Sequence, residues 1–163
     1  MQKLILLAAF FSITICNSQV FIGTNDNKLQ LATNIQDNAS GINISYDYGL
    51  GENISVGVTS SYALSINDNI SASFGDRFDA KVRFNAHLGS VVKIDDNFDI
   101  YPGLNLSLKN FGGHLGMRYF FSDGFGIFTE FNVPLAKYNP DVLDAGEKLH
   151  NQFTLNLGAA FNL

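Results

Sequence analysis

Residues 151–163, NQFTLNLGAAFNL, decide the fold class of this chain. From Phe153 onward, alternate residues are apolar and end with Phe161 and Leu163, whereas the intervening residues are threonine, asparagine, glycine and alanine. Successive side chains of a β-strand point to opposite faces, so this two-residue period predicts a strand with one apolar and one polar face. The strand is predicted to run to the last residue, with an aromatic side chain third from the end.

The same alternation recurs in seven further segments, which predicts eight strands in all. Pro102 lies inside one of them and has no amide hydrogen to donate to a ladder, so we expect a strand end or a bulge there. The connections after the second and sixth strands are short, whereas those after the third and seventh are long, as in barrels with short periplasmic turns and longer outer loops. The predicted strands are residues 28–36, 42–48, 54–64, 77–88, 98–109, 114–121, 125–133 and 153–163.

The N-terminal residues have the pattern of a secretory signal. Residues 4–15 are an apolar run that is too short to cross a bilayer as a helix. Cys16 and Ser18 place small residues at the −3 and −1 positions of a signal-peptidase site, and cleavage there would remove the only cysteine. Lipidation of Cys16 is an alternative, although the residue before it is a large isoleucine. We predict a signal peptide over residues 1–18 and a barrel domain over residues 19–163.

The charge and hydropathy of the chain exclude two classes of protein. The formal net charge is −5 and the ten basic residues are scattered, so they form no basic patch of the kind that binds nucleic acid. After the signal sequence no run approaches the roughly 18 apolar residues that a transmembrane helix requires. A membrane protein of this composition must therefore be a barrel.

Alternation alone fits both a membrane barrel and a soluble barrel with its apolar side chains inside. The polar face is rich in glycine and serine, which the narrow interior of an eight-stranded barrel needs to admit larger neighbours. Nearly all strand charges share this face, and a lipid-exposed arginine or lysine would cost about 2–4 kcal/mol at the bilayer midplane. We therefore predict a charged lumen in which Lys81, Arg83 and Arg118 pair with Asp79, Glu130 and Asp47. The full predicted network is Asp47, Arg77, Asp79, Lys81, Arg83, Arg118 and Glu130.

Aromatic residues of the apolar face gather near the predicted strand ends. Membrane barrels carry such girdles at both interfaces. The predicted periplasmic girdle is Tyr46, Tyr48, Tyr119, Phe121, Phe125 and Phe161, and the predicted outer girdle is Tyr62, Phe78 and Phe153.

These features resemble the small bacterial outer-membrane barrels of the OmpX and OmpA transmembrane-domain type. The stretches YGLGENISVG (48–57) and FGGHLGMRYFFSDGFGIFTE (111–130) also resemble an uncharacterised outer-membrane protein family. The resemblance implies an all-β, eight-stranded antiparallel up-and-down transmembrane β-barrel in the bacterial outer membrane, surrounded by its lipid. It also implies that the last strand, with Phe161 and Leu163, is recognised by the barrel-assembly machinery.

The sequence contains no motif for catalysis, and we expect neither a metal nor a cofactor. His87, His114 and His150 lack the spacing of metal ligands. A Ser/His/Asp hydrolase at the outer rim, built from His114 or His150 with Ser65 or Ser71, has no nucleophile signature to support it.

We therefore predict a non-enzymatic structural or surface-interaction protein. Its long outer loops, near residues 65–76 and 134–150, would bind a surface ligand or protein, for example by strand addition. One alternative is a narrow or gated pore. Another is a secreted soluble barrel that binds an apolar ligand, which would require Phe84, Leu106 and Leu155 to point inward. A lipid-modifying enzyme ranks last.

Overall fold

The computed structural model describes residues 20–139 and 143–163, so the predicted signal peptide lies outside the described residues. The described chain forms eight strands and two one-turn helices. The strands are β1 (Asn27–Gln36), β2 (Ala39–Gly51), β3 (Ile54–Ile66), β4 (Phe78–Ala86), β5 (Phe98–Ser107), β6 (Asn110–Ser122), β7 (Phe125–Lys137) and β8 (Thr154–Asn162). The helices are α1 (Phe74–Arg77) and α2 (Gly89–Val92).

Each strand pairs antiparallel with the next, and β8 returns to pair with β1, so the sheet is a closed barrel. The closing ladder runs from Leu29 opposite Phe161 to Gln36 opposite Thr154. This architecture confirms the predicted eight-stranded antiparallel barrel. We call the end that holds connections 52–53, 87–97 and 123–124 the lower end, and the end that holds 37–38, 67–77, 108–109 and 138–153 the upper end.

Several hairpins are tighter than the sequence predicted. Residues 39–41 and 110–113 were predicted as turns but belong to β2 and β6. The first hairpin is left with only Asp37 and Asn38 between its strands, and Asn38 takes the left-handed conformation (φ 60°), which asparagine tolerates better than most residues. Tight hairpins fix the register of the strands that they join.

The strand end or bulge expected at Pro102 does not occur in β5 itself, but the ladder between β5 and β4 is interrupted there. β5 continues through Pro102, which lies opposite Leu115 of β6. The ladder between β4 and β5 begins only at Gly103, opposite Asn85, and extends to Ser107. The missing amide hydrogen therefore coincides with the shortest ladder of the barrel.

The barrel has a polar interior and an apolar exterior. Arg118 and Glu130 are 1% and 2% exposed, whereas Val82 and Leu106 are 61% and 56% exposed. The soluble barrel with inward apolar side chains is wrong for this chain, because Phe84 and Leu106 point outward. Within the described ranges, no helix has the length and hydropathy needed to cross a bilayer.

Candidate functional site

An arginine bridges opposite walls at the middle of the lumen. Nε of Arg83 in β4 lies 3.1 Å from Oδ1 of Asp47 in β2, and its Nη2 lies 2.8 Å from Oε2 of Glu130 in β7. Gly57 of β3 stands between Asp47 and Arg83 in the ladders, and a Cβ there would overlap the Asp47 carboxylate. The glycine thus leaves the space through which Arg83 reaches Asp47. The carboxylate of Glu130 also accepts a hydrogen bond from Asn132 (3.0 Å).

Tyr101 fills the lumen next to this bridge. Its side chain is fully buried, and its ring lies under the guanidinium groups of Arg83 and Arg118, at 5.6 and 4.6 Å from the ring centre. Gln30 donates a hydrogen bond to its hydroxyl (3.1 Å). A Cβ at Gly116 would overlap the Tyr101 ring, so glycine is required opposite this large side chain. Each guanidinium group is attracted to the face of the Tyr101 ring, and together the three side chains close the lumen at this level.

The predicted partner of Arg118 is wrong. Its Nη2 lies 2.9 Å from Oδ2 of Asp99, the residue directly opposite it in the β5–β6 ladder. The alternation of the sequence places Asp99 on the polar face of its strand, but it does not show which residue of β6 lies opposite Asp99.

The lower end of the lumen is closed by residues 20–26, which we call the lower plug. Phe21 stacks on the imidazole of His87 with ring centres 3.7 Å apart, and the amide of Val20 donates to the carbonyl of Asp96 (3.1 Å). Asp26 forms an ion pair with Lys28, and both side chains are buried. The sequence analysis missed this pair, although Lys28 has the inward parity of β1.

Two upper loops are tied over the other end of the lumen. Nε2 of His150 donates to the carbonyl of Arg77 (2.7 Å), and Nζ of Lys109 donates to the carbonyls of Asp76 (2.6 Å) and Leu149 (3.2 Å). Burial lowers the pKa of His150 to about 4 and lowers the pKa of Lys109 from its usual value. Both contacts join the loop 67–77 to the loop 138–153.

Two of the predicted lumen charges, Asp79 and Lys81, lie in the upper half of β4. Nζ of Lys81 is 3.7 Å from Oδ2 of Asp79, as expected, and Asp79 is fully buried. Arg77 departs from the prediction, because it is half-buried in α1 and not in a strand. The helix forms there because Ser73 and Asp76 make a reciprocal capping box.

A second polar cluster, at the lower end, was not predicted. Oγ of Ser55 in β3 lies 2.8 Å from Nε2 of His87, and Nδ1 of His87 lies 2.7 Å from Oδ2 of Asp99 in β5. The amide of Asn85 donates to Oγ of Ser55 (2.8 Å), and the backbone amide of Gly89 donates to Oδ1 of Asp99 (3.1 Å). Burial lowers the pKa of His87, which keeps its imidazole neutral near pH 7. Only two features of the sequence could have indicated this cluster: its residues lie on the inward-facing positions of their strands, and they lie near the strand ends.

The remaining histidine also has protein partners. Nε2 of His114 lies 2.7 Å from Oδ1 of Asn85, and its Nδ1 lies 3.3 Å from Nδ2 of Asn105. Among residues 20–139 and 143–163, no group of three or more histidine, cysteine, aspartate or glutamate side chains is placed to hold a metal ion.

Aromatic side chains ring both ends of the outer wall. At the lower end successive ring centres lie 5.3–6.4 Å apart, and the hydroxyls of Tyr46 and Tyr48 donate to Asn27 and Asn25 (2.6 Å each). At the upper end Phe74, which the sequence analysis missed, packs between two predicted rings, and Phe153 stacks with Phe131. The contacting predicted residues are Tyr119, Phe121, Phe125 and Phe161 at the lower end and Tyr62, Phe78 and Phe153 at the upper end.

Sequence comparison assigns the family of the chain. The model of DUF6646, described as a family of unknown function, matches residues 11–163. The chain belongs to this family. No curated protein matches this chain.

Two solved structures share the fold. A de novo designed transmembrane β-barrel superimposes with a TM-score of 0.58 and 10% identity, over 86% of this chain and 97% of that chain. The N-terminal β-barrel domain of Pseudomonas aeruginosa OprF gives a TM-score of 0.57 and 12% identity, over 86% of this chain and 99% of that chain. These similarities agree with the predicted eight-stranded barrel of the small outer-membrane type at the level of fold.

Proposed function

We propose that this DUF6646 protein is an integral outer-membrane barrel with a sealed lumen, which serves a structural or surface-interaction role through its upper end. The observation that carries the proposal is the reversed distribution of polarity. Charged groups such as Arg83 and Glu130 are buried inside, whereas a continuous belt of aliphatic side chains is exposed between two aromatic rims. Such a belt is favourable in contact with the hydrocarbon of a bilayer, whereas in water it would be a large exposed apolar surface.

The upper end offers strand edges to a partner. The ladder between β7 and β8 ends at Asn132, opposite Thr154, while β7 continues to Lys137. Leu135 on this extension is 61% exposed. Pro134 limits hydrogen bonding along the extension, so a short added strand or a side-chain contact fits it better than a long ladder. This geometry supports a surface-interaction role.

A continuous pore is less well supported. The side chains of Arg83, Tyr101 and Arg118 meet across the lumen, and the lower plug packs below them. An eight-stranded barrel has an interior that side chains can fill. We infer that the wild-type lumen does not conduct.

The last strand supports a further part of the proposal, recognition by the barrel-assembly machinery. Phe161 contacts Phe125 at the lower rim, and the amide of Leu163 donates to the carbonyl of Asn27 (3.0 Å). Replacing Phe161 with alanine should lower the amount of folded barrel in cells more than it lowers refolding of the purified chain into vesicles. Equal losses in both assays would contradict a recognition role.

Cell fractionation tests the location of the protein. The expected result is a protein of the outer-membrane fraction that needs detergent for extraction and that migrates differently on SDS gels before and after boiling. N-terminal sequencing of that band should begin at Gln19. A protein released without detergent, with the same mobility before and after boiling, would refute the membrane barrel.

A further inference from the structure

We propose that Ser55, His87 and Asp99 form a serine nucleophile site for acyl transfer, which the lower plug covers in this structure. The proposal goes beyond the role proposed above, and it depends on the fold and not on the location of the barrel. The three side chains come from β3, from the connection after β4 and from β5, and all are 1% exposed or less.

The hydrogen-bond directions match those of a nucleophile and its base. Nη2 of Arg118 lies 2.9 Å from both Nδ1 of His87 and Oδ2 of Asp99, and its hydrogen bond goes to the carboxylate. The carboxylate of Asp99 only accepts, so in this arrangement Nδ1 of His87 also donates to it (2.7 Å). Nε2 of His87 then carries a lone pair, which accepts the hydroxyl proton of Ser55 (2.8 Å). This is the order of roles in which an orienting carboxylate holds the imidazole and the imidazole activates the serine.

The carboxylate of Asp99 is itself held in place. Its Oδ1 accepts from the backbone amide of Gly89 (3.1 Å), and its Oδ2 lies 2.9 Å from Nη2 of Arg118. Asp99 therefore acts as a positioning residue for His87 and does not need to contact a substrate.

A fixed donor points at the nucleophile. Oδ1 of Asn85 accepts from Nε of Arg83 (3.1 Å) and lies 2.7 Å from Nε2 of His114, so the amide nitrogen is directed towards Ser55. That nitrogen donates to Oγ of Ser55 (2.8 Å). A preoriented amide donor at this position stabilises the negative charge that develops on Oγ as its proton leaves.

A cavity of about 350 Å³ reaches this cluster from the lower end. His87 and Asp99 line it together with Phe21, Asn53 and Ser90. The stacked ring of Phe21 covers the imidazole, and Ser55 is fully buried and does not line the cavity. The volume is at the small end of the range for ligand sites, which points to esters with a short acyl group.

The reaction balances with water as the only co-reactant. Oγ of Ser55 forms a bond to the ester carbonyl carbon while His87 takes the hydroxyl proton on Nε2. The bond from that carbon to the alcohol oxygen breaks, and the alcohol leaves with the proton from His87. A water molecule then gives a proton to His87 and attacks the acyl group, which releases the acid, and the proton returns to Ser55 Oγ.

Covalent labelling tests the proposal. Folded wild-type protein and the Phe21→Ala variant in detergent micelles are exposed to a fluorophosphonate probe, and the modified peptide is mapped by mass spectrometry. We expect modification at Ser55, about tenfold faster in Phe21→Ala because the stacking contact is lost. Ser45→Ala is the matched control, since Ser45 is a buried lumen serine that donates to Gln30 (2.8 Å). Unboiled gel mobility checks that each variant is folded.

A second variant separates an activated serine from an exposed one. In the Phe21→Ala background, His87→Gln should slow labelling of Ser55 by about 100-fold, because the general base is lost. Equal labelling with and without His87 would overturn the proposal. The absence of any label on Ser55 in folded Phe21→Ala would also overturn it and would leave the cluster as a structural polar network. This second test does not depend on whether the His87 variant folds.

Discussion

Replacing Val82 with arginine tests whether the exposed belt faces lipid. Val82 lies at the middle of β4, between Val58 and Leu106 of the neighbouring strands, and its side chain is 61% exposed. Leu135 provides a matched control, because it is also 61% exposed but lies on the extension of β7 beyond the last pair with β8.

The two environments predict different costs. In a bilayer, arginine near the midplane costs about 2–4 kcal/mol, whereas near the interface the cost falls to about 0–1 kcal/mol. In water, a substitution at either exposed position should change the free energy of unfolding by no more than about 0.5 kcal/mol. We expect Val82→Arg to lower this free energy by about 2 kcal/mol more than Leu135→Arg, which is roughly 30-fold in the equilibrium constant.

The assay is urea unfolding of the barrel from phosphatidylcholine vesicles. The chain has no tryptophan, so the folded fraction is best read from the unboiled band on SDS gels. If both variants lose the same free energy of unfolding, the belt does not lie in hydrocarbon and the reasoning fails.

Three further predictions concern the lumen and its upper cover. Gly116→Ala should cost about 1–3 kcal/mol through overlap with Tyr101, measured by the same urea titration, whereas Gly124→Ala, where a Cβ meets nothing within 4 Å, should be neutral. Glu130→Ala should leave planar-bilayer recordings without steady conductance, as in the wild type, because the other cross-lumen side chains remain; stable conducting levels would favour a gated pore. Burial lowers the pKa of His150 from 6.5 to about 4, so the unfolded chain binds more protons between these values, and stability should fall as the pH drops from about 6.5 to about 4. His150→Asn should weaken that pH dependence in denaturant titrations, and an unchanged pH profile would contradict the assignment.

The sequence predicted which side chains enter the lumen better than it predicted which of them meet. The two-residue period assigns Arg83, Glu130 and Asp99 to the same face without knowledge of any contact. Pairing depends on register, and register depends on turn lengths that differ from the prediction by two or three residues. This is why the bridge from Arg83 to Glu130 was expected, whereas the pairing of Arg118 with Asp99 was not.

The cluster of Ser55, His87 and Asp99 shows why motif searches are weak in barrels. His87 is 32 residues from Ser55 and 12 residues from Asp99, and these separations reflect only the lengths of the hairpins that join β3, β4 and β5. A helix or a tight turn brings catalytic groups together at fixed spacing, but a barrel wall brings together residues of equal height and equal parity. Candidate sites in this fold are therefore better sought by listing inward residues level by level from each end. For this chain, that procedure places Ser55, His87 and Asp99 at one level of the lower end, next to the only described aromatic side chain that stacks on a histidine.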